Sequence, residues 1–320
     1  MLQAFRVAGI PVRVDLSWLV VFGLISWSLA AGYFPRVLPD ATTWALWGHA
    51  VAAALLLFVS VFLHELSHAL VAIEHGVPVS GIRLHVFGGV SELEAEPPTP
   101  RAELLIAAVG PLTSFAIAAI CYGLGHALGG PPWVAALTGY LAVVNFMIGV
   151  FNLVPGFPLD GGRLLRALLW WGSGRQHWAT LWASRAGSAF AVMMIALGMV
   201  RVLTGETIGG LWFVFIGLFL HQAARASRQL MTIRARLEPL RVADVMSPVT
   251  ADAADRPATA PAQAVTPESS AWQAFLKLGR GGERHVAVVD RDRLVGTVGR
   301  RELQEAIAGR PDEDVAPRAA

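Results

Sequence analysis

The apolar run from Trp44 to Ile73 is longer than the roughly 20 residues a helix needs to cross a bilayer, and it ends in His64-Glu65-Leu66-Ser67-His68. In hydrocarbon every backbone N–H and C=O needs a partner within its own segment, so such a run must be helix. On a helix, residues four apart share a face, and two histidines there can clamp one metal ion. A glutamate between them is the usual general base for activating water. Ionisable groups at membrane depth are costly. Hydrolysis of a buried peptide bond would give that cost a reason.

Five further apolar segments, Leu16–Phe34, Leu104–Leu128, Trp133–Leu153, Ala186–Leu203 and Ile208–Ala224, bring the predicted crossings to six. Composition agrees: only 15% of residues are charged, against about 25% in soluble domains. The predicted fold is an all-α polytopic membrane protein of about six transmembrane helices, with a small re-entrant β-hairpin and a small cytoplasmic α/β domain. Cys121 is the one cysteine, so no intrachain disulfide can form. A formal charge of +2 is too small to suggest a nucleic-acid partner. No cleavable leader is evident: Arg6 and Arg13 precede the first apolar segment, but no small-x-small exit follows it.

Arginine placement predicts orientation. Arg6, Arg13, Arg83, Arg101, Arg163, Arg166, Arg175, Arg185, Arg225 and Arg228 fall on one side of a six-crossing topology, and only Arg36 and Arg201 on the other. Both termini are therefore expected in the cytoplasm, in a bacterial inner membrane. The histidine motif, at the end of the second crossing, and the loop after the fourth then share the cytoplasmic side.

That loop reads Asn152-Leu153-Val154-Pro155-Gly156-Phe157-Pro158-Leu159-Asp160-Gly161-Gly162-Arg163. Its prolines break the helix, and Gly161-Gly162 lets backbone approach closely. Two histidines leave a tetrahedral zinc short of a protein ligand, and His₂ plus a carboxylate with one open position is a catalytic arrangement. Asp160 is the one carboxylate near that segment and is the expected third ligand. His75 and His85 are alternatives; His75 reads better as a loop residue.

Between the second and third segments, Val79–Glu96 first alternates apolar and polar, then breaks at Gly88-Gly89. It is predicted as a short hairpin or re-entrant sheet, tolerated at membrane depth only where protein or water covers it. Arg225–Arg241 is basic and predicted helical. Beyond Val242 the chain takes on the character of a soluble domain. A Pro/Ala-rich stretch at Ala251–Pro267 is followed by an amphipathic helix at Ser269–Leu278, strands at His285–Val289 and Leu294–Val298, a last helix at Arg301–Ile307, and a disordered tail from Gly309. The expected boundaries are 1–225 for the membrane domain, 226–241 for a basic helical linker, 242–308 for the small domain and 309–320 for the tail.

His64-Glu65-x-x-His68, together with Asn-x-x-Pro-x-x-Pro-Leu-Asp160-Gly161-Gly162, resembles the site-2 protease family of intramembrane zinc metalloproteases. Gly88-Gly89 and Gly110-Pro111 sit where that family has such pairs, and the similarity runs from about Arg13 to Arg225. The resemblance implies one zinc per chain on His64, His68 and Asp160, with Glu65 activating water, and a membrane-protein substrate unwound near the cytoplasmic side. Asn145 also matches a family position, as a candidate donor to the developing oxyanion; a helix–helix hydrogen bond is the competing role. Many relatives have asparagine where Ser114 stands. The small domain resembles a single CBS motif, through Val242-Ala243-Asp244-Val245-Met246 and its two strands. Such motifs normally pair, and pairs often bind adenine nucleotides; a single one implies either pairing between two chains, a homodimer with a candidate adenine-nucleotide site, or a degenerate scaffold. The competing function is a non-proteolytic metal-binding or transport protein gated by that domain.

Overall fold

The computed structural model describes residues 2–85, 88–127, 130–248, 264–281, 284–291 and 293–308. The chain divides into two compact units, Met1–Arg225 and Ala226–Ala320.

In the first unit, strands β1 (Leu2–Val7) and β2 (Ile10–Val14) precede helix α1 (Ser17–Ser28), a π-helical turn (Leu29–Tyr33) and α2 (Phe34–Val37). Then come α3 (Thr43–Glu74), β3 (Val79–His85), β4 (Gly88–Leu93), α4 (Pro100–Ala127), α5 (Pro132–Asn152), α6 (Asp160–Ser173), α7 (Gln176–Leu203) and the start of α8 (Thr207–Leu237), whose residues from Ala226 on belong to the second unit. Among the described residues, six helical spans are long and apolar enough to cross a membrane: Ser17–Val37, Thr43–Glu74, Pro100–Ala127, Pro132–Asn152, Gln176–Leu203 and Thr207–Leu237. Each contains or overlaps one predicted apolar segment.

The differences have physical causes. The fifth span starts at Gln176 rather than Ala186 because Ala179, Thr180, Ala183 and Ser184 are buried against protein, where small and polar side chains are tolerated. Helix α6 is amphipathic and lies outside the six spans. The basic stretch expected as a separate linker is helical as far as Leu237, as the end of α8.

Large apolar side chains such as Leu112, Ile120, Val143 and Trp212 are exposed on the helices. In water such surface would drive aggregation; on membrane spans it faces acyl chains. Between helices the buried residues are small. Ala50, Ala53 and Ala54 of α3 are fully buried, and α7 meets α8 where a Cβ on Gly198 would lie 2.6 Å from the Gly210 carbonyl. Small residues at interfaces are how helices approach in lipid, where no hydrophobic force drives them together.

The predicted hairpin forms, but as half of a larger sheet. The four strands run β1-β2-β3-β4, with β2 and β3 parallel and the outer pairs antiparallel. Glu92 of β4 ties the strands across the sheet, bonding Arg13 of β2 at 3.1 Å and Arg83 of β3 at 2.5 Å. Ile10, Ile82 and Leu84 pack against Ala69 and Leu66 of α3, which seats the sheet beside the histidine motif. Val86 and Phe87, between β3 and β4 in sequence, lie outside the described residues.

The second unit is a small α/β body, as expected. It holds α9 (Val242–Val245), β5 (Ser247–Pro248), α10 (Ala271–Gly281), β6 (His285–Asp290), β7 (Arg293–Gly299) and α11 (Arg300–Ala308). Its strands are ordered β5-β7-β6. Leu237, Val242, Val288, Val298 and Leu303 form its core, with Trp272 stacked on Phe275. Most of the Pro/Ala-rich stretch (249–263) and the tail from Gly309 lie outside the described residues.

Candidate metal centre

Helix α3 starts at Thr42, whose side chain caps it by accepting from the Ala45 amide. It stays regular to Glu74, so His64 and His68 lie one turn apart on its protein-facing side, both about 95% buried. Asp160 is the first residue of α6, after a loop carrying Pro155 and Pro158. A Cβ on Gly161 would strike the Leu153 and Val154 backbone, and one on Gly162 would strike Gly156 and Phe157. The Asp-Gly-Gly sequence thus lets the first turn of α6 fold flat on its own entry loop, which fixes where the Asp160 carboxylate points.

Three ligand atoms converge. His64 Nε2 lies 3.1 Å from Asp160 Oδ2, His68 Nε2 lies 3.2 Å from it, and the two Nε2 atoms are 3.2 Å apart. A tetrahedral zinc with bonds of about 2.0–2.1 Å sets its ligand atoms about 3.3 Å apart. The observed triangle has the size of one face of that tetrahedron.

The outer nitrogens orient the rings. His68 Nδ1 donates to the Ile106 carbonyl at 2.5 Å, which in a neutral ring leaves Nε2 as a lone pair aimed into the triangle. His64 Nδ1 lies 2.9 Å from Ser114 Oγ. Both partners belong to α4. Three electron-rich atoms facing one point, with both imidazoles buried and Asp160 partly buried, is a donor set that fits a divalent cation.

Glu65 stands beside this triangle. Its carboxylate accepts from Ser91 Oγ of β4 at 3.0 Å, and its carbonyl lies 2.8 Å from the same hydroxyl. A Cβ on Gly89 would overlap the Glu65 side chain, so this glycine of β4 makes room for the glutamate.

Among the described residues, His64, His68 and Asp160 are the one group of three placed to hold a metal ion. His75 bonds the Val71 carbonyl of its own helix at 2.9 Å, and His85 sits on β3; neither joins the triangle. Asn145 of α5 is fully buried, and its amide donates to Ser60 Oγ at 3.2 Å and to the Leu141 carbonyl at 2.8 Å.

Sequence reasoning misses Ser91 and the Ile106 carbonyl, because neither carries a motif and both arrive from distant elements. It marks Ser114 as a departure from the family pattern without revealing its contact to His64. It also misses the ion pair of Glu103 and Arg166. In the sequence Arg166 reads as a loop charge, but it is buried with its guanidinium on the Glu103 carboxylate.

Six membrane spans around a buried His₂-carboxylate site with an adjacent glutamate define a membrane-embedded metalloprotease. Comparison with known proteins agrees. Residues 52–138 and 131–196 match peptidase family M50. Rip3 of Mycobacterium tuberculosis, named a putative zinc metalloprotease, is 38% identical over 314 residues, covering 95% of this chain and 76% of Rip3. A protein of Synechocystis sp., also named a putative zinc metalloprotease, is 36% identical over 75% of this chain and 63% of its own length. The solved site-2 protease from Methanocaldococcus jannaschii is 28% identical and superposes with a TM-score of 0.48, covering 71% of this chain and 94% of that one. The chain belongs to peptidase family M50, and the relatives it matches are named zinc metalloproteases.

Proposed function

We propose that the protein cleaves transmembrane segments of membrane-bound regulatory proteins, such as anti-sigma factors, near the cytoplasmic face of a bacterial inner membrane. His64, His68 and Asp160 hold the zinc, one per chain. The observation that carries this reading is the triangle of ligand atoms, 3.1–3.2 Å on each edge, with Glu65 at its side. Zinc, when bound, supplies Lewis acidity that acidifies water and polarises a carbonyl. Glu65 takes the proton of the attacking water and returns it to the leaving amine. Ser91 orients that carboxylate, and Ile106 and Ser114 hold the two imidazoles in the ligating tautomer. The substrate helix unwinds before cleavage, since its own hydrogen bonds shield the scissile carbonyl.

Asn145 suits a tie between α5 and α3 better than the oxyanion role. An amide has two N–H donors, and both are engaged on Ser60 and Leu141. Donating to a substrate would break one of these bonds.

Orientation with both termini in the cytoplasm rests on the arginine count. Arg166 drops out of it as a buried ion pair, and Arg6, Arg101, Arg175, Arg185 and Arg225 still fall on one side. Residues 242–308 are assigned as one CBS-like domain, on their strand–strand–helix order, and pairing of two such domains is the homodimer contact. One cavity of that unit, about 450 Å³, has Asp244, Glu302 and Glu305 in its lining. Three carboxylates repel a polyphosphate, so an adenine nucleotide is left out of the proposed function.

The test is zinc per chain by elemental analysis of detergent-purified wild type, His64→Ala and Asp160→Ala. About one zinc in the wild type, lost or weakened in both variants, supports the site. Zinc that persists in Asp160→Ala would sink the third ligand.

A further inference from the structure

We propose that Glu103 and Arg166 are positioning residues that hold the Asp160 carboxylate in register with the two histidines. The proposal rests on the metal-site reading above and adds the device that sets its geometry.

The site is assembled from α3, α4 and α6. Helix α4 reaches the histidines directly, through the Ile106 carbonyl and Ser114. Glu103, Ile106, Gly110 and Ser114 follow the i, i+3, i+7, i+11 spacing of one helix face, so Glu103 lies on the face that meets the imidazoles. Helix α6 brings Asp160 as its first residue. Among the described residues no backbone hydrogen bond joins α4 to α6, so the separation of carboxylate and imidazoles depends on side-chain packing between them.

Arg166 supplies the link. It lies six residues beyond Asp160, about 9 Å along the helix at 1.5 Å per residue. Its Nε bonds Glu103 Oε1 at 2.5 Å and its Nη2 contacts the same oxygen. Its Nη1 lies 3.9 Å from Glu96, which in turn accepts from Gln176 of α7 at 2.5 Å. Its guanidinium stacks over the Phe157 ring at 5.7 Å, on the loop that delivers Asp160. One side chain thus grips α4, the segment after β4 and the entry loop. Glu103 is fully buried and Arg166 is 4% exposed, where a planar fork loses least on ordering and where two charges in a low-dielectric setting need a reason to be kept.

The experiment measures apparent zinc affinity by chelator competition in detergent, and the visible spectrum of the cobalt-substituted protein. The variants are Glu103→Gln, Arg166→Lys and Asp160→Ala, with Glu103→Gln also placed in the Asp160→Ala background. Helical content and monodispersity report folding. Glu103→Gln is expected to weaken zinc by at least tenfold and to alter the cobalt spectrum. Arg166→Lys keeps the charge and the fold while losing the fork, and is expected to weaken zinc by a smaller factor. In the Asp160→Ala background, Glu103→Gln is expected to have no further effect, because the clamp acts through Asp160. Wild-type affinity in both Glu103→Gln and Arg166→Lys overturns the clamp alone, as does an equal loss with and without Asp160. Wild-type affinity in Asp160→Ala overturns the metal-site reading and the clamp with it.

Discussion

Gly110 of α4 faces the His68 imidazole so closely that a single added methyl group would overlap Nε2; the same Cβ would lie 2.7 Å from His64 Nε2. In a helix interior glycine is ordinarily inferior to alanine by about 0.5–1 kcal/mol. Here the missing side chain is what admits both rings. Gly110→Ala is therefore expected to lose zinc, with an overpacking cost of about 1–3 kcal/mol. Gly123, on the same helix with nothing within 4 Å of its Cβ position, is the control. Gly123→Ala should keep full zinc content and equal or better thermal stability. Elemental analysis and a melting curve on both variants check the pair, and a zinc-loaded Gly110→Ala protein would contradict it.

Ser114 offers a milder perturbation of the same nitrogen shell. Its hydroxyl orients His64 through Nδ1 at 2.9 Å, and loss of such an outer partner typically costs about 10–100-fold in metal affinity or activity. Ser114→Ala should still fold and still bind zinc, but release it at chelator concentrations that leave the wild type loaded. Affinity unchanged from wild type would show that the Ile106 contact to His68 suffices to hold the site.

Glu65→Gln separates chemistry from assembly. The amide keeps the size of the side chain and can still meet Ser91, but it cannot accept the proton of the attacking water. Zinc content and melting temperature should match wild type, while cleavage of a membrane-protein substrate in detergent falls by at least about 10²-fold, the usual share of a general base. Wild-type cleavage by this variant would remove Glu65 from the mechanism.

How legible the molecule is in its sequence follows from the range of the forces involved. Helix existence is legible because bilayer thickness imposes a length on each apolar run, and the six spans fall where those runs are. The ligand triangle is legible because His64 and His68 fall on one helical turn and Asp160 is the one carboxylate beside the proline break. What the sequence hides is tertiary. Strands β1 and β2 do alternate, with Phe5, Val7, Val12 and Val14 set against Arg6 and Arg13 around the Gly9 turn. A strand gains meaning only from its partners, and β2 finds β3 across nearly seventy residues of intervening chain. Arg166 looks like a loop charge because its helix is short and amphipathic, and Glu103, the residue that buries it, lies 63 positions away.

The last expectation concerns Asn145 and Ser60, one turn before His64 on α3. Ser60 donates to the Leu56 carbonyl at 2.9 Å and so receives the Asn145 amide through its lone pair, at 3.2 Å. Asn145 Oδ1 is buried without a hydrogen-bond partner, so part of what the tie gains is offset by an orphan oxygen. Polar ties between membrane helices average about 0.6 kcal/mol and reach about 1.7 kcal/mol. Asn145→Ala and Ser60→Ala should each lower stability by an amount in that range. The double variant should be no worse than the more damaging single, because both remove the same bond, and zinc content should stay at the wild-type level. An oxyanion donor behaves differently: its removal costs about 10²–10³ in kcat, and Ser60→Ala, which frees an Asn145 N–H, would not share that loss. Measuring kcat and thermal stability for the two singles and the double distinguishes the roles. A kcat loss of that size in Asn145→Ala alone would return Asn145 to the reaction.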